Sequence, residues 1–160
     1  MIYFYTDFIT KLKDNEVFVF GSNLQGFHGA GSAGYASFNK KGNIWRTENY
    51  DKKPNGWKGC WNVKGVGEGF QEGTKGKSYA LPTVTRAGMK RSRTIQEISD
   101  SVKKLYDFAT ENPQYNFYLA YMDDGKNLNG YTSSEFFQAF KDKKIPENIL
   151  FHESVQEHLR

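Results

Sequence analysis

Along the chain, apolar residues alternate between short unbroken runs that suit a buried strand and three-to-four spacing that suits a helix lying on a sheet. Glu16 to Phe20 (EVFVF) is β-branched and aromatic and stops at Gly21, which predicts a buried strand opening into a loop. Glycines crowd the next residues, and Ala30 to Phe38 (AGSAGYASF) is built of small side chains, predicting the start of a helix that can approach a sheet or ligand closely. From about Lys40 to Lys77 neither period persists. Lysine, asparagine and glycine alternate there with Trp45, Trp57, Trp61 and Phe70, which predicts an irregular insertion or short hairpins. Ser78 to Thr83 (SYALPT) predicts another short strand, with Pro82 near a sheet edge or strand terminus.

The second half is clearer. Thr94 and Glu97 have capping-box spacing, and Ile95, Ile98, Val102, Leu105 and Ala109 keep one apolar face through the following turns, predicting a helix that ends near Asn112-Pro113. Phe117 to Met122 (FYLAYM) predicts a buried strand, and Asp123 to Gly130 a second glycine loop. Thr132 and Glu135 repeat the capping box ahead of Phe136, Phe137 and Phe140, and Pro146 closes that helix. Ile149 to Phe151 reads as one more strand. This alternation of strands and helices predicts an α/β protein whose sheet is covered by helices on both faces.

Composition adds bounds. The 160 residues suit a single domain spanning 1–160, and 16% aromatic content indicates a packed core. There is no basic segment followed by a long apolar run at the start and no stretch of about 18 apolar residues anywhere, so neither a secretion signal nor a membrane span is expected. Cys60 is the single cysteine, and His28, His152 and His158 form no metal-ligand spacing, so no disulfide, metal or other cofactor is expected and the cytoplasm of a bacterial or host cell fits best. The net charge of +4 favours anionic ligands, yet 22 basic and 18 acidic residues are interspersed, which argues against a nucleic-acid partner. Lys90, Arg91 and Arg93 are the one basic cluster that would serve such a partner.

Both glycine loops fall where ligands bind in open α/β sheets, beyond the carboxyl ends of strands. The first, GSNLQGFHGAG, places Gly21, Gly26, Gly29 and Gly31 where backbone N–H groups can turn toward an anion. The second, DDGKNLNGYT, follows one strand and precedes a capped helix, so the two would face each other across one crevice. Glycine-rich turns also occur without ligands, and the pairing is what favours a phosphate and ribose site. Gly76-Lys77-Ser78 is not a P-loop, because Gln71 stands where the first glycine belongs and a strand follows. The dinucleotide fingerprint also fails, since the spacing after Phe20 is not Gly-x-Gly-x-x-Gly.

The run Phe18 to Ala33 (FVFGSNLQGFHGAGSA), with SYALPT, the helix from Thr94, Asn-Pro before FYLAYM and the loop GKNLNGY, resembles in order the bacterial and phage branch of macrodomain-like proteins. The resemblance leaves only about 40–77 uncovered. It implies a three-layer fold with a mixed central sheet flanked by helices, and a cleft for ADP-ribose or a derivative. By position, Asn23 beside Gly21 and Ser22 would bond the distal ribose, Gly29-Ala30-Gly31 would lie along the pyrophosphate or distal ribose, and Thr83 would border the cleft. Gly125, Lys126, Asn127, Leu128, Asn129, Gly130 and Tyr131 would close over the phosphates.

Departures from the family pattern shape the chemistry expected. Asn127 replaces a glycine but tolerates left-handed geometry. Lys126 is either a cation near a phosphate or a solvated surface lysine. Asn129 stands where some ADP-ribosyl-hydrolysing relatives carry an acid, and their lysine nucleophile would fall at Val84 or Thr85, so covalent lysine chemistry is not expected. The acid or base candidates are His28, whose residue type titrates near neutrality, and Asp123 or Asp124, which also suit solvated turn positions. His152 and His158 are expected to have no chemical role, Tyr131 packs on a ribose or staples the next helix, and the tryptophans stack on adenine or anchor the core. Two functions stay open: a hydrolase of ADP-ribose derivatives (a 1″-phosphatase or ADP-ribosyl hydrolase), and a module that senses or sequesters such a ligand unchanged.

Overall fold

The computed structural model describes residues 1–7, 9, 12–25, 67–72, 76–86, 88–121, 123 and 129–160. Six strands make one sheet: β1 (Tyr3–Tyr5), β2 (Glu16–Asn23), β3 (Gly69–Glu72), β4 (Lys77–Val84), β5 (Asn116–Leu119) and β6 (Ile149–His152). Their spatial order is β1-β6-β5-β2-β4-β3. All neighbours run parallel except β3, which is antiparallel to β4, so the sheet is mixed. Helix α1 (Ile95–Glu111) connects β4 to β5, short helices α2 (Ser133–Phe136) and α3 (Gln138–Lys141) precede β6, and a 3₁₀ helix (Glu153–Leu159) closes the chain.

The apolar pattern explains one half of the packing. Val17 and Val19 on β2, Tyr79 and Leu81 on β4 and Phe117 on β5 meet Ile98, Val102, Leu105 and Ala109 of α1, together with Phe136, Phe137 and Phe140, in one continuous core. Each such side chain, once fully buried, contributes about 1.5–3 kcal/mol. Alternate residues of the same strands point the other way: Phe18, Phe20 and Ala80 form a separate cluster with Ile9, Leu12 and Ala120. Every described helix contributes to the first core and none to the second. Among the described residues no helix covers the second face, and the helix predicted from Ala30 falls outside the described residues.

Both capping boxes form. Thr94 Oγ1 accepts from Glu97 N at 3.0 Å while Glu97 Oε1 accepts from Thr94 N at 2.8 Å. Thr132 and Glu135 repeat this at 3.1 and 3.0 Å. At the other end of α1, Asn148 Nδ2 donates to Ala109 O and Tyr115 O, both at 2.9 Å, adding a second donor to the carbonyl that Asn112 N–H reaches at 3.2 Å.

Several boundaries differ from the sequence reading. Strand β2 does not stop at Gly21: Gly21, Ser22 and Asn23 still pair with β4, with a register shift between Ser22 and Asn23. Strand β5 ends at Leu119 rather than Met122, because β6 pairs only Phe117 and Tyr118 and Tyr121 turns inward to stack on Phe136 with centroids 4.8 Å apart. The single helix expected after Thr132 is two short ones, divided at Phe137, whose N–H bonds back to Glu135 O and Ser133 O. Within the stretch read as an irregular insertion or short hairpins, Gly69–Glu72 does form a hairpin with β4, in line with the second alternative. Pro82 sits beyond Ala80, the last β4 residue that β3 reaches, where the missing N–H costs no ladder bond on that side.

Candidate functional site

Five strands run the same way, so Tyr5, His152, Leu119, Asn23 and Val84 all end on one edge of the sheet. The connection leaving β2 leads toward β4 on one side, and that leaving β5 leads toward β6 on the other. Such a reversal in strand order is where open α/β sheets generally bind ligands. Both glycine segments begin there. The first leaves β2 after Asn23, and the second leaves β5 through Asp123.

On the β2 side the predicted residues are largely enclosed. Asn23 and Ser22 are both 4% exposed and Thr83 8%, whereas Gly21 is exposed. Ser22 Oγ donates to Gly67 O. A Cβ built on Gly67 would lie 1.9 Å from Asn23 O and 2.9 Å from the Leu24 carbonyl carbon, so this glycine lets two backbones touch at the strand end. Gly67 was not singled out by the sequence, because its partner lies 44 residues away along the chain.

The exit of the second glycine segment is fixed by the turn before α1. Arg91, in left-handed geometry at φ 54°, donates its N–H to Asn129 O at 2.7 Å and its Nε to Gly130 O at 3.0 Å. Its guanidinium pairs with Glu135 at 3.0 Å and lies 4.7 Å from the centre of the Tyr131 ring. Asn129 is buried and its Oδ1 accepts from Tyr131 N at 2.9 Å, while Tyr131 OH donates to Arg93 O at 2.6 Å. Tyr131 thus packs into the protein at the foot of the loop. Arg93 donates from Nη1 to Pro82 O and Ser101 Oγ at 2.7 and 2.9 Å. Two members of the basic cluster, Arg91 and Arg93, thus make bonds within the protein.

Asp123 is the most constrained polar group on the β5 side. Its Oδ1 accepts from Ser133 Oγ at 3.0 Å, its Oδ2 lies 2.7 Å from His158 Nε2, and its backbone N–H donates to Ser154 Oγ at 3.0 Å. The hydrogen bond from His158, aided by that from Ser133, holds the carboxyl below the usual carboxylate range against the opposing effect of desolvation. Ser154 Oγ is also 2.8 Å from His152 Nδ1, and His152 Nε2 is 3.0 Å from Thr6 O. The C-terminal histidines, expected to be idle, are thus part of a polar network along the carboxyl edge. No local pattern announces this, since Asp123 and His158 are separated by α2, α3 and β6.

Asp123, Glu157 and His158 also bring three donor atoms within 4.8 Å of one another. A direct contact of 2.7 Å between His158 Nε2 and Asp123 Oδ2 is the length of a charge-assisted hydrogen bond, so a proton already occupies the line between those two atoms. His28, Gly29, Ala30, Gly31, Asp124 and Gly125 to Leu128 lie outside the described residues, as does Cys60. Among the described residues no helix is long and apolar enough to cross a membrane.

Fold and site together define an α/β protein with a mixed six-stranded sheet and a polar hydrogen-bond network at its carboxyl edge. The sequence matches no protein-family model and no curated protein.

Proposed function

We propose that this chain is a macrodomain-like hydrolase of ADP-ribose derivatives, removing the 1″-phosphate of ADP-ribose 1″-phosphate or releasing ADP-ribose from a modified group. The observation that supports this best is the adjacency of the β2 and β5 ends. Asn23 and Asp123 leave neighbouring parallel strands at the reversal of strand order, so a ribose held on one side and phosphates held on the other would share one crevice. On this reading, Asn23 orients the distal ribose, the segment 29–31 lies along the pyrophosphate, and the segment 125–131 closes over it, with Arg91 holding its last residues. Val84 and Thr85 offer no lysine nucleophile, so water is the attacking group.

A second reading, a module that binds the ligand unchanged, is favoured by the state of Asp123. Both of its carboxylate oxygens are engaged and its carboxyl is held low, which makes it a weak proton acceptor near neutrality. Calorimetric titration with ADP-ribose tests the premise common to both. Dissociation constants at about the micromolar level, roughly −8 kcal/mol, that are lost on Asn23→Ala would support the cleft. Absence of binding to the intact chain would refute it. Release of phosphate or of ADP-ribose then separates hydrolase from sensor.

A further inference from the structure

We propose that Asp123 and His158 form an acid–base dyad at the β5 side of the crevice, in which Asp123 orients the ring and His158 Nδ1 exchanges a proton with the bound ligand and its attacking water. The proposal rests on the functional reading above and moves the chemistry from Asp123 to its partner.

Geometry carries it. An ionised carboxylate can only accept, so the 2.7 Å contact requires the proton on His158 Nε2. In the neutral ring Nδ1 is then the basic nitrogen, and among the described residues it has no hydrogen-bond partner. The ring is held in place as well as oriented. It stacks on Phe137 at 6.1 Å with planes only 9° apart, and Phe137 is itself fully buried. Asp123 is fixed in turn by Ser133 Oγ from α2 and by Ser154 Oγ from the 3₁₀ helix. A base oriented by a third group that is held by others is the arrangement acid–base catalysis needs. The charged groups facing the ring are Asp123 from the segment after β5 and Glu157 from its own helix, whose Oε1 is 3.5 Å from Nε2; α2 and the residue that follows it present Ser133 and Phe137, neither of which is charged at neutral pH.

For the 1″-phosphate the step balances as follows. The water oxygen bonds to phosphorus while one of its protons passes to Nδ1. The bond between phosphorus and the ribose oxygen breaks with its electron pair on that oxygen, which takes the proton from Nδ1. Inorganic phosphate and ADP-ribose leave, and the ring is neutral again. Asp123 keeps its charge throughout and acts as a positioning residue.

The experiment measures turnover of ADP-ribose 1″-phosphate and of an ADP-ribosylated peptide from about pH 5 to 9, with calorimetric ADP-ribose binding, on the wild type, His158→Gln and Asp123→Asn. The expected result is a fall of about 100-fold or more in kcat in His158→Gln, a change in the shape of the pH profile relative to the wild type, and little change in affinity. Asp123→Asn, which can favour the wrong tautomer, is expected to lower kcat comparably while leaving His158 present. Wild-type kcat and pH profile in a His158→Gln variant that binds normally would overturn the dyad and leave the functional reading standing. Binding without turnover of either substrate by the wild type would also overturn the dyad and favour the sensor. Failure of the wild type to bind would end both readings. If His158→Gln does not fold, Asp123→Asn decides, because a wild-type kcat in that variant with ADP-ribose binding retained would overturn the dyad.

Discussion

Gly130 and Lys90 touch so closely that a Cβ on Gly130 would lie 2.7 Å from Lys90 Cβ. The same Cβ would meet Arg91 Cγ and Arg91 N at 3.1 Å, and Gly130 has φ +88°, so two independent constraints demand glycine there. This contact joins the turn before α1 to the exit of the second glycine segment. It turns a residue chosen from the sequence as a ligand-binding glycine into one with a structural duty of its own.

Gly130→Ala is accordingly expected to destabilise the protein by about 2–4 kcal/mol, a drop in Tm on the order of 10 °C. Thermal unfolding checks this. Because the strain falls on the backbone that Arg91 grips, ADP-ribose affinity should fall at temperatures where the variant remains folded. A variant with unaltered Tm would mean that this turn yields easily.

Gly67→Ala tests the other wall of the crevice. The added methyl would sit 1.9 Å from Asn23 O, a backbone atom that cannot rotate away, so Gly67 or the end of β2 must shift. The expected outcome is a loss of at least about tenfold in ADP-ribose affinity, or roughly 1.4 kcal/mol, with α1 still formed. Calorimetry together with far-ultraviolet circular dichroism reads both. Unchanged affinity would place the ligand away from Asn23.

The sequence reading succeeds where the determinant is local. Thr94 and Glu97 announce the start of α1, and Ile98, Val102, Leu105 and Ala109 its buried face, because capping and helical periodicity act within a few residues. Phe117 marks a strand because a short unbroken apolar run suits a buried strand. Strand β1 is too short to show a period, and only pairing of Tyr3, Phe4 and Tyr5 with Leu150, Phe151 and His152 makes it a strand. Likewise the end of β2 was placed too early because glycine usually interrupts, whereas here Gly21 and Ser22 keep their β4 partners Leu81 and Pro82. Strand–loop order suffices to place Asn23 and Asp123 on the carboxyl edge of the sheet. It does not place His158, because its role depends on a chain reversal through β6 that leaves no local signature.

Among the described residues acid should weaken the fold through four carboxylates: Glu97, Glu135, Asp123, and Asp142, which is held low against desolvation by its bonds from Lys143 and Ser99. Hydrogen bonds from Thr94 to Glu97 and from Thr132 to Glu135 hold those groups low, as His158 and then Ser133 do for Asp123. A carboxyl that is more acidic folded than unfolded binds fewer protons in the native state. Its contribution is complete above the unfolded value, about 3.9 for Asp and 4.3 for Glu, and is lost as pH falls through the lower folded value. Stability should therefore stay level on these groups' account down to about pH 5 and decline below about pH 4. Urea unfolding across that range checks the sign. Asp123→Asn should make the decline shallower, and an equally steep decline in that variant would assign the acid sensitivity to other groups.

The two capping boxes separate stability from function. Thr94→Ala and Thr132→Ala each remove a side-chain acceptor from an N-terminal N–H and should each cost about 1 kcal/mol. Their positions differ in what they carry. The helix capped by Thr94 presents its buried face to the core, and no residue of it contacts Asp123 among the described residues. Thr132 starts the single turn that begins with Ser133, whose Oγ holds Asp123 Oδ1, and Phe137 just after it supports the His158 ring. Loosening that turn frees Asp123 on one side and tilts the surface under the histidine. Thr132→Ala should thus lower kcat by several-fold beyond anything seen in Thr94→Ala at matched stability, with ADP-ribose affinity similar in the two. Parallel measurements of urea midpoints and turnover decide it. Equal effects of both variants on turnover would show that the α2 turn serves the fold alone.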